Sequence, residues 1–361
     1  MDPQTSTPPT TQQKPASNTL PVIDVSALVS ENPTEENLKK VAQAISDACQ
    51  NWGFFYIINH GVSEKLQEQL ETLSKQFFAL PEDVKMKIPM SNGGRAWRGF
   101  FPVGGELTSG KPDLKEGLYL GTELPSSDPR VQEGLPLHGP NLWPEEIPEL
   151  KTVVLEWLAV MEKLARAVMK GIALSLDLAA DYFEKNYLED PTCLFRIFNY
   201  PPDVDANQQG EPRWGVGEHT DYGLLTILKQ DNSGGLQVNS PHHGWTPAQP
   251  IPNSFVCNLG DMLQAVTNGL YLSTPHRVQN VYTGKDRQSY PFFFDPSWNA
   301  EIKPLPLSHL GIKDITLDEF VNIDASKRWD KASPQSFRGK YGEYLLTKVS
   351  KVFPDLKQNV L

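Results

Sequence analysis

The stretch Cys193-Leu194-Phe195-Arg196-Ile197-Phe198-Asn199-Tyr200-Pro201-Pro202 opens a region, running to Phe294, in which short apolar runs of mostly strand type succeed one another. Turn signals break them at Pro201-Pro202, Asn232-Ser233-Gly234-Gly235, His242-His243-Gly244 and Thr283-Gly284-Lys285. Short strands at close intervals with polar turns between them are the pattern of an antiparallel sandwich or barrel.

Outward from this core the texture changes. Toward the N-terminus, Pro21-Val22-Ile23-Asp24-Val25 alternates like a strand, and Thr34 to Asn51 carries apolar residues at helical spacing behind a Thr34 cap. Trp52-Gly53-Phe54-Phe55-Tyr56-Ile57-Ile58 reads as a buried strand ended by the turn Asn59-His60-Gly61, and a second amphipathic helix follows to about Leu80. Ser91 to Gly110 shows no period and reads as a long loop, a candidate substrate lid. From Pro148 to about Leu178, Leu, Val, Ala and Met recur every three or four residues, which predicts the longest helix, backing the sheet. Helical periodicity returns near Leu317. The expected divisions are a disordered tail over 1–19, an N-terminal α/β region over 20–120, a helical connection over 121–190, the β core over 191–300 and a C-terminal helical segment over 301–361.

Composition narrows the function. The 361 residues carry a formal charge of −11, which disfavours nucleic acid or an anionic membrane as partner and favours a small-molecule substrate. Three scattered cysteines, Cys49, Cys193 and Cys257, suit free thiols in the cytoplasm. No apolar run reaches the ~20 residues of a membrane span, and no signal-peptide core precedes Leu20. No heptad seam announces an interface, so a monomer is expected.

The chemistry lies in Glu218-His219-Thr220-Asp221 and, after 54 intervening residues, His276. On extended chain, residues two apart face the same side, so His219 and Asp221 can reach one ion while His276 arrives from a distant strand. Two His and one carboxylate leave coordination positions open, which suits non-haem Fe(II); a closed structural zinc site would need a fourth ligand. By itself His-x-Asp is common. Arg287-Gln288-Ser289 follows His276 by 11 residues, and its Arg and Ser on one strand face suit a carboxylate.

His-x-Asp, the second His and Arg-x-Ser at these spacings resemble the 2-oxoglutarate and Fe(II)-dependent dioxygenases, specifically the isopenicillin-N-synthase-like branch. Pro21-Val22-Ile23-Asp24, Trp52-Gly53-Phe54-Phe55, Asn59-His60-Gly61-Val62, Asn199-Tyr200-Pro201-Pro202 and Gly234-Gly235-Leu236-Gln237-Val238 extend the likeness from about Leu20 to Phe353. The resemblance implies a mainly β fold with flanking helices around a double-stranded β-helix, or jelly roll. It also implies Fe(II) on His219, Asp221 and His276, 2-oxoglutarate held by Arg287, Ser289 and Tyr200, O2 as oxidant and ascorbate as reductant. The implied outcome is hydroxylation of a small metabolite with release of succinate and CO2. Many plant members carry Asn two residues before the tyrosine, where this chain has Phe198. The family also includes oxidases and cyclases that use no 2-oxoglutarate, and a non-catalytic sensor of metal or 2-oxoglutarate would use the same residues.

Substrate contacts are expected from Arg95, Trp97 and Phe101 in the long loop, from Glu116 and Tyr119 beyond it, and from one face of Phe292-Phe293-Phe294, taken as that of Phe294. His242 and His243 read as exposed turn residues and His60 as structural; His138 and His309 lack matching partners.

Overall fold

The computed structural model describes residues 19–108, 110–202, 213–280, 284–311, 337 and 339–352. All of the expected tail over 1–19 except Thr19, and the helical periodicity near Leu317, lie outside these residues.

Fourteen strands are defined among the described residues: β1 (Val22–Asp24), β2 (Phe54–Ile58), β3 (Gly99–Phe101), β4 (Leu107–Thr108), β5 (Lys111–Pro112), β6 (Glu116–Gly121), β7 (Pro191–Tyr200), β8 (Trp214–His219), β9 (Leu225–Gln230), β10 (Leu236–Ser240), β11 (Gly244–Pro247), β12 (Phe255–Leu259), β13 (His276–Gln279) and β14 (Arg287–Ser297). A major sheet runs β1-β2-β12-β9-β14-β7-β6-β3, and a minor sheet runs β11-β10-β13-β8. All pairings in both are antiparallel except β1 with β2. The two sheets are the walls of the expected jelly roll, and residues from both line the cavity between them.

Alternation along β14 decides which wall each residue faces. Arg287, Ser289, Pro291, Phe293 and Asp295 line the cavity. Phe292 and Phe294 are fully buried on the other side, where the Phe294 ring lies 5.7 Å from the guanidinium of Arg166. Arg166 belongs to the helix Glu149–Ser175, the long helix expected from the three- and four-residue apolar spacing. Its Trp157 ring meets Phe255 of β12 at 5.9 Å and Phe195 of β7 at 6.3 Å, so the helix backs the major sheet. Burying each of these large side chains contributes about 2–3 kcal/mol. The helix Glu35–Asn51 begins where the sequence placed it, with the Thr34 hydroxyl accepting from Asn37 N at 3.2 Å.

The segment from Ser91 to Gly110 is not one long loop. It holds a 3-10 turn over Met90–Ala96, strand β3 on the edge of the major sheet, and β4, which pairs with β5 as a hairpin. Trp97, Phe100 and Phe101 are 1–4% exposed, so the aromatic residues that blurred the period are core residues.

Candidate active site

β8 ends at His219 and β13 begins at His276, and antiparallel pairing sets these two residues directly opposite each other, with ring centroids 4.2 Å apart. The chain turns after His219 and brings Asp221 beneath the pair. One ligand atom from each of the three lies within 4.8 Å of the others. Each His Nδ1 faces a backbone carbonyl, Gly217 O at 2.8 Å for His219 and Thr274 O at 3.2 Å for His276. A carbonyl only accepts, so Nδ1 carries the proton and Nε2 is left as the lone-pair donor. Both Nε2 atoms point at Asp221 Oδ1, at 3.9 and 3.8 Å, while Oδ2 accepts from Thr226 Oγ1 at 2.5 Å and Asn258 Nδ2 at 2.6 Å. Three donors converge with their proton-bearing sides turned away, which fits a divalent metal.

Electrostatics prepare the same state. Burial works against ionisation of Asp221, but His276, His219 and the Asn258 and Thr226 hydrogen bonds outweigh it and hold the carboxyl below its usual range. Burial, with His219 adding to it, pushes His276 down to about 4, so its imidazole is neutral near pH 7. Ionised carboxylate and neutral imidazole are the forms that ligate.

Along the inner face of the major sheet, Arg287 of β14 pairs across the strands with Tyr200 of β7, and Ser289 pairs with Phe198. Arg287 Nε donates to Gly234 O at 2.6 Å, its guanidinium lies 4.7 Å over the Tyr200 ring, and Ser289 Oγ lies 3.4 Å from the Tyr200 hydroxyl. Arg287 Nη1 is buried with no hydrogen-bond partner. An unmet guanidinium donor beside two hydroxyls, in the same cavity as the triad, fits one carboxylate of a dicarboxylic acid whose other end reaches the metal. The cavity encloses about 1110 Å³, including its mouth.

A model for the 2OG-Fe(II) oxygenase superfamily matches residues 191–296, and one described as the non-haem dioxygenase in morphine synthesis N-terminal region matches 20–146. A probable iron/ascorbate oxidoreductase of Dictyostelium discoideum is 48% identical over 95% of this chain and 97% of its own length. The chain belongs to the 2OG-Fe(II) oxygenase superfamily.

This oxygenase is also 40% identical to a 1-aminocyclopropane-1-carboxylate oxidase of the same organism, over 93% of this chain and 95% of that one. Full-length T7H of Neurospora crassa, crystallised with alpha-KG and thymine, superposes with a TM-score of 0.73 at 26% identity, covering 93% of this chain and 98% of its own. The enzyme is therefore an oxidoreductase of the 2-oxoglutarate-dependent dioxygenase type, using Fe(II), 2-oxoglutarate and O2, and ascorbate as reductant is consistent with its relatives.

None of the six expected substrate contacts lines the cavity. Arg95 is exposed, and Trp97 is enclosed in the core. Phe101 packs edge-on against Tyr119 and Phe198, at 5.2 and 6.3 Å. Glu116 is buried in an ion pair with Lys85 at 2.6 Å. Tyr119 stands one step back, its hydroxyl donating to the cavity residue Glu106. Phe294 faces the helix, and it is Phe293 that lines the cavity, because the strand's alternation runs opposite to the expected phase.

Residues not anticipated are Thr226 and Asn258, which orient Asp221, and a polar group farther along the cavity: Glu106, Lys115 and Arg196. Arg196 was legible in principle, since it lies four residues before Tyr200 on one strand and so shares its face. Thr226 and Asn258 carried no such signal, because only the sheet order sets their strands beside Asp221. No helix among the described residues is long and apolar enough to cross a membrane, and all three cysteines are free thiols.

Proposed function

We propose that this oxygenase hydroxylates a small organic metabolite, coupling the oxidation to conversion of 2-oxoglutarate into succinate and CO2. The observation that carries the reading is the buried, unpartnered Nη1 of Arg287 beside Ser289 and Tyr200, in one cavity with His219, Asp221 and His276. When bound, Fe(II) supplies the site where O2 is activated at the expense of the keto acid.

The chain's own part is positional. His219 and His276 present Nε2 from adjacent strands, Asp221 offers Oδ1 with Oδ2 tied down, and Arg287 anchors the co-substrate. Leu194, Val216, Leu228, Leu236, Val278 and Phe293 make the walls apolar, which keeps water from the reacting C–H bond. The helix Tyr341–Val352 adds Leu345, Val349 and Val352 to that lining.

The reading extends to a cytoplasmic monomer acting on a small molecule, with neither nucleic acid nor membrane as partner. The charge of −11 and three buried free thiols support it. The divisions at 20–120, 121–190, 191–300 and 301–361 are retained as functional regions.

A second reading, an oxidase acting without 2-oxoglutarate, is favoured by the similarity to the Dictyostelium 1-aminocyclopropane-1-carboxylate oxidase. Succinate formation that needs Fe(II) and 2-oxoglutarate, with a product heavier by one oxygen atom, decides for the hydroxylase. Substrate-dependent O2 consumption without succinate decides for the oxidase.

A further inference from the structure

The cavity contains a second arginine that the co-substrate site does not use. Arg196 of β7 lines it on the same strand face as Phe198 and Tyr200. Its guanidinium carbon lies 3.8 Å over the Tyr119 ring and 4.8 Å over the Phe293 ring, and the two rings hold it in place. No carboxylate of the described residues lies within ion-pair distance of it.

The acidic groups around it are already engaged. Glu106 accepts from the Tyr119 hydroxyl and lies 2.7 Å from Lys115 Nζ. Asp113 accepts from Lys115 and, at 2.6 Å, from Thr108 Oγ1. Asp295 accepts from the Tyr341 hydroxyl at 2.5 Å, and Asp221 from Thr226 and Asn258. Lys115 is thus shared between two carboxylates, whereas Arg196, which bonds the Tyr119 hydroxyl and feels Glu106 only at longer range, lines the cavity with no carboxylate in ion-pair contact. A guanidinium that lines a cavity without a carboxylate in direct contact offers a planar fork that a ligand carboxylate matches.

Position separates this group from the co-substrate anchor. Arg196 stands four residues along β7 from Tyr200, roughly 13 Å on an extended strand. In the sheet it lies two strands across from Leu228, two residues along β9 from Thr226, the residue holding Asp221, or about 12 Å from it. A group on Arg196 is therefore within one small molecule's length of the metal triad. We propose that the substrate of this enzyme carries a carboxylate, and that Arg196 is the residue that receives it and sets which C–H bond faces the triad. This rests on the oxygenase reading above and assigns the class of substrate within it.

The other carboxylate in reach is that of 2-oxoglutarate next to its keto group, and the test separates the two sources. The Fe(II)-loaded protein, kept anaerobic, is titrated calorimetrically with free amino acids, keto acids and aromatic acids, each beside its primary amide, with and without 2-oxoglutarate. Wild type, Arg196→Met and Arg196→Lys are compared. The expected result is that binders fall among the acids, that their amides bind about a hundredfold more weakly, that Arg196→Met loses the same factor, and that Arg196→Lys recovers part of it.

2-Oxoglutarate binding should be unchanged in Arg196→Met, which also shows that the variant is folded. Binders confined to uncharged compounds, a panel in which no acid binds, or acid binding that survives Arg196→Met would each overturn the proposal. So would loss of 2-oxoglutarate binding in Arg196→Met, which would give the guanidinium to the co-substrate. Failure of wild type to bind 2-oxoglutarate would count against the oxygenase reading instead, and the acid and amide titrations without 2-oxoglutarate would still decide this one.

Discussion

Asn258 Nδ2 donates to Asp221 Oδ2 at 2.6 Å, on the side of the carboxylate turned away from His219 and His276. With Thr226 on the same oxygen, the carboxylate is fixed so that Oδ1 alone faces the two imidazoles. Outer partners of this kind typically account for 10- to 100-fold in metal affinity. Asn258→Leu is therefore expected to weaken Fe(II) binding by about that factor while the circular dichroism spectrum is preserved. Undiminished iron affinity would show that Asp221 orients itself without help.

Removing a ligand acts more directly. His219→Ala and Asp221→Ala should abolish stoichiometric Fe(II) binding and succinate formation with little loss of thermal stability, since neither side chain anchors the apolar core. Metal analysis of the purified variants, set beside their melting curves, checks both halves of the expectation.

Asp295 gives the protein a pH signature. Burial pushes its carboxyl up to about 7, against the pull of the Tyr341 hydroxyl. Between its ordinary value near 4 and pH 7, the unfolded chain ionises while the folded one keeps the proton, so folding stability falls as pH rises through that window. Below it the group is protonated in both states and contributes nothing. Asp295→Asn should make the iron-free protein more stable than wild type at pH 8, by up to about 4 kcal/mol, with the gain vanishing near pH 4. Equal pH profiles from denaturant titration would contradict this.

Gly223 packs where no side chain fits. A Cβ there would lie 1.5 Å from Asp295 Oδ1 and 2.2 Å from its Cγ. Gly223→Ala must displace a buried carboxyl beside the cavity, and a loss of about 1–3 kcal/mol is expected from overpacking, visible as a lowered melting temperature.

Much of this was legible in the sequence, and for identifiable reasons. Short apolar runs and turn chemistry marked the strands from Cys193 to Phe294, and the three- and four-residue spacing marked the helix over Glu149–Ser175. The triad and Arg287 were legible because their spacing survives as motif. What failed was phase and depth. Phe292-Phe293-Phe294 alternates under either phase, and only the placement of Arg287 and Ser289 in the cavity fixes Phe293 as the inward residue. Trp97 and Phe101 sit in a stretch rich in Gly and Arg that masks a core strand at the sheet edge. Asn258 and Thr226 lie on adjacent strands 32 residues apart in the chain, a pairing that no local pattern records.

The most direct test of the central claim is an anaerobic titration of the Fe(II)-loaded protein with 2-oxoglutarate, following the visible charge-transfer band of the chelate in wild type and Arg287→Ala. The account predicts a band in wild type and a midpoint about a hundredfold higher in the variant, as expected for losing a buried guanidinium–carboxylate pair. Iron binding with no band in wild type, or a midpoint unmoved by Arg287→Ala, would contradict it.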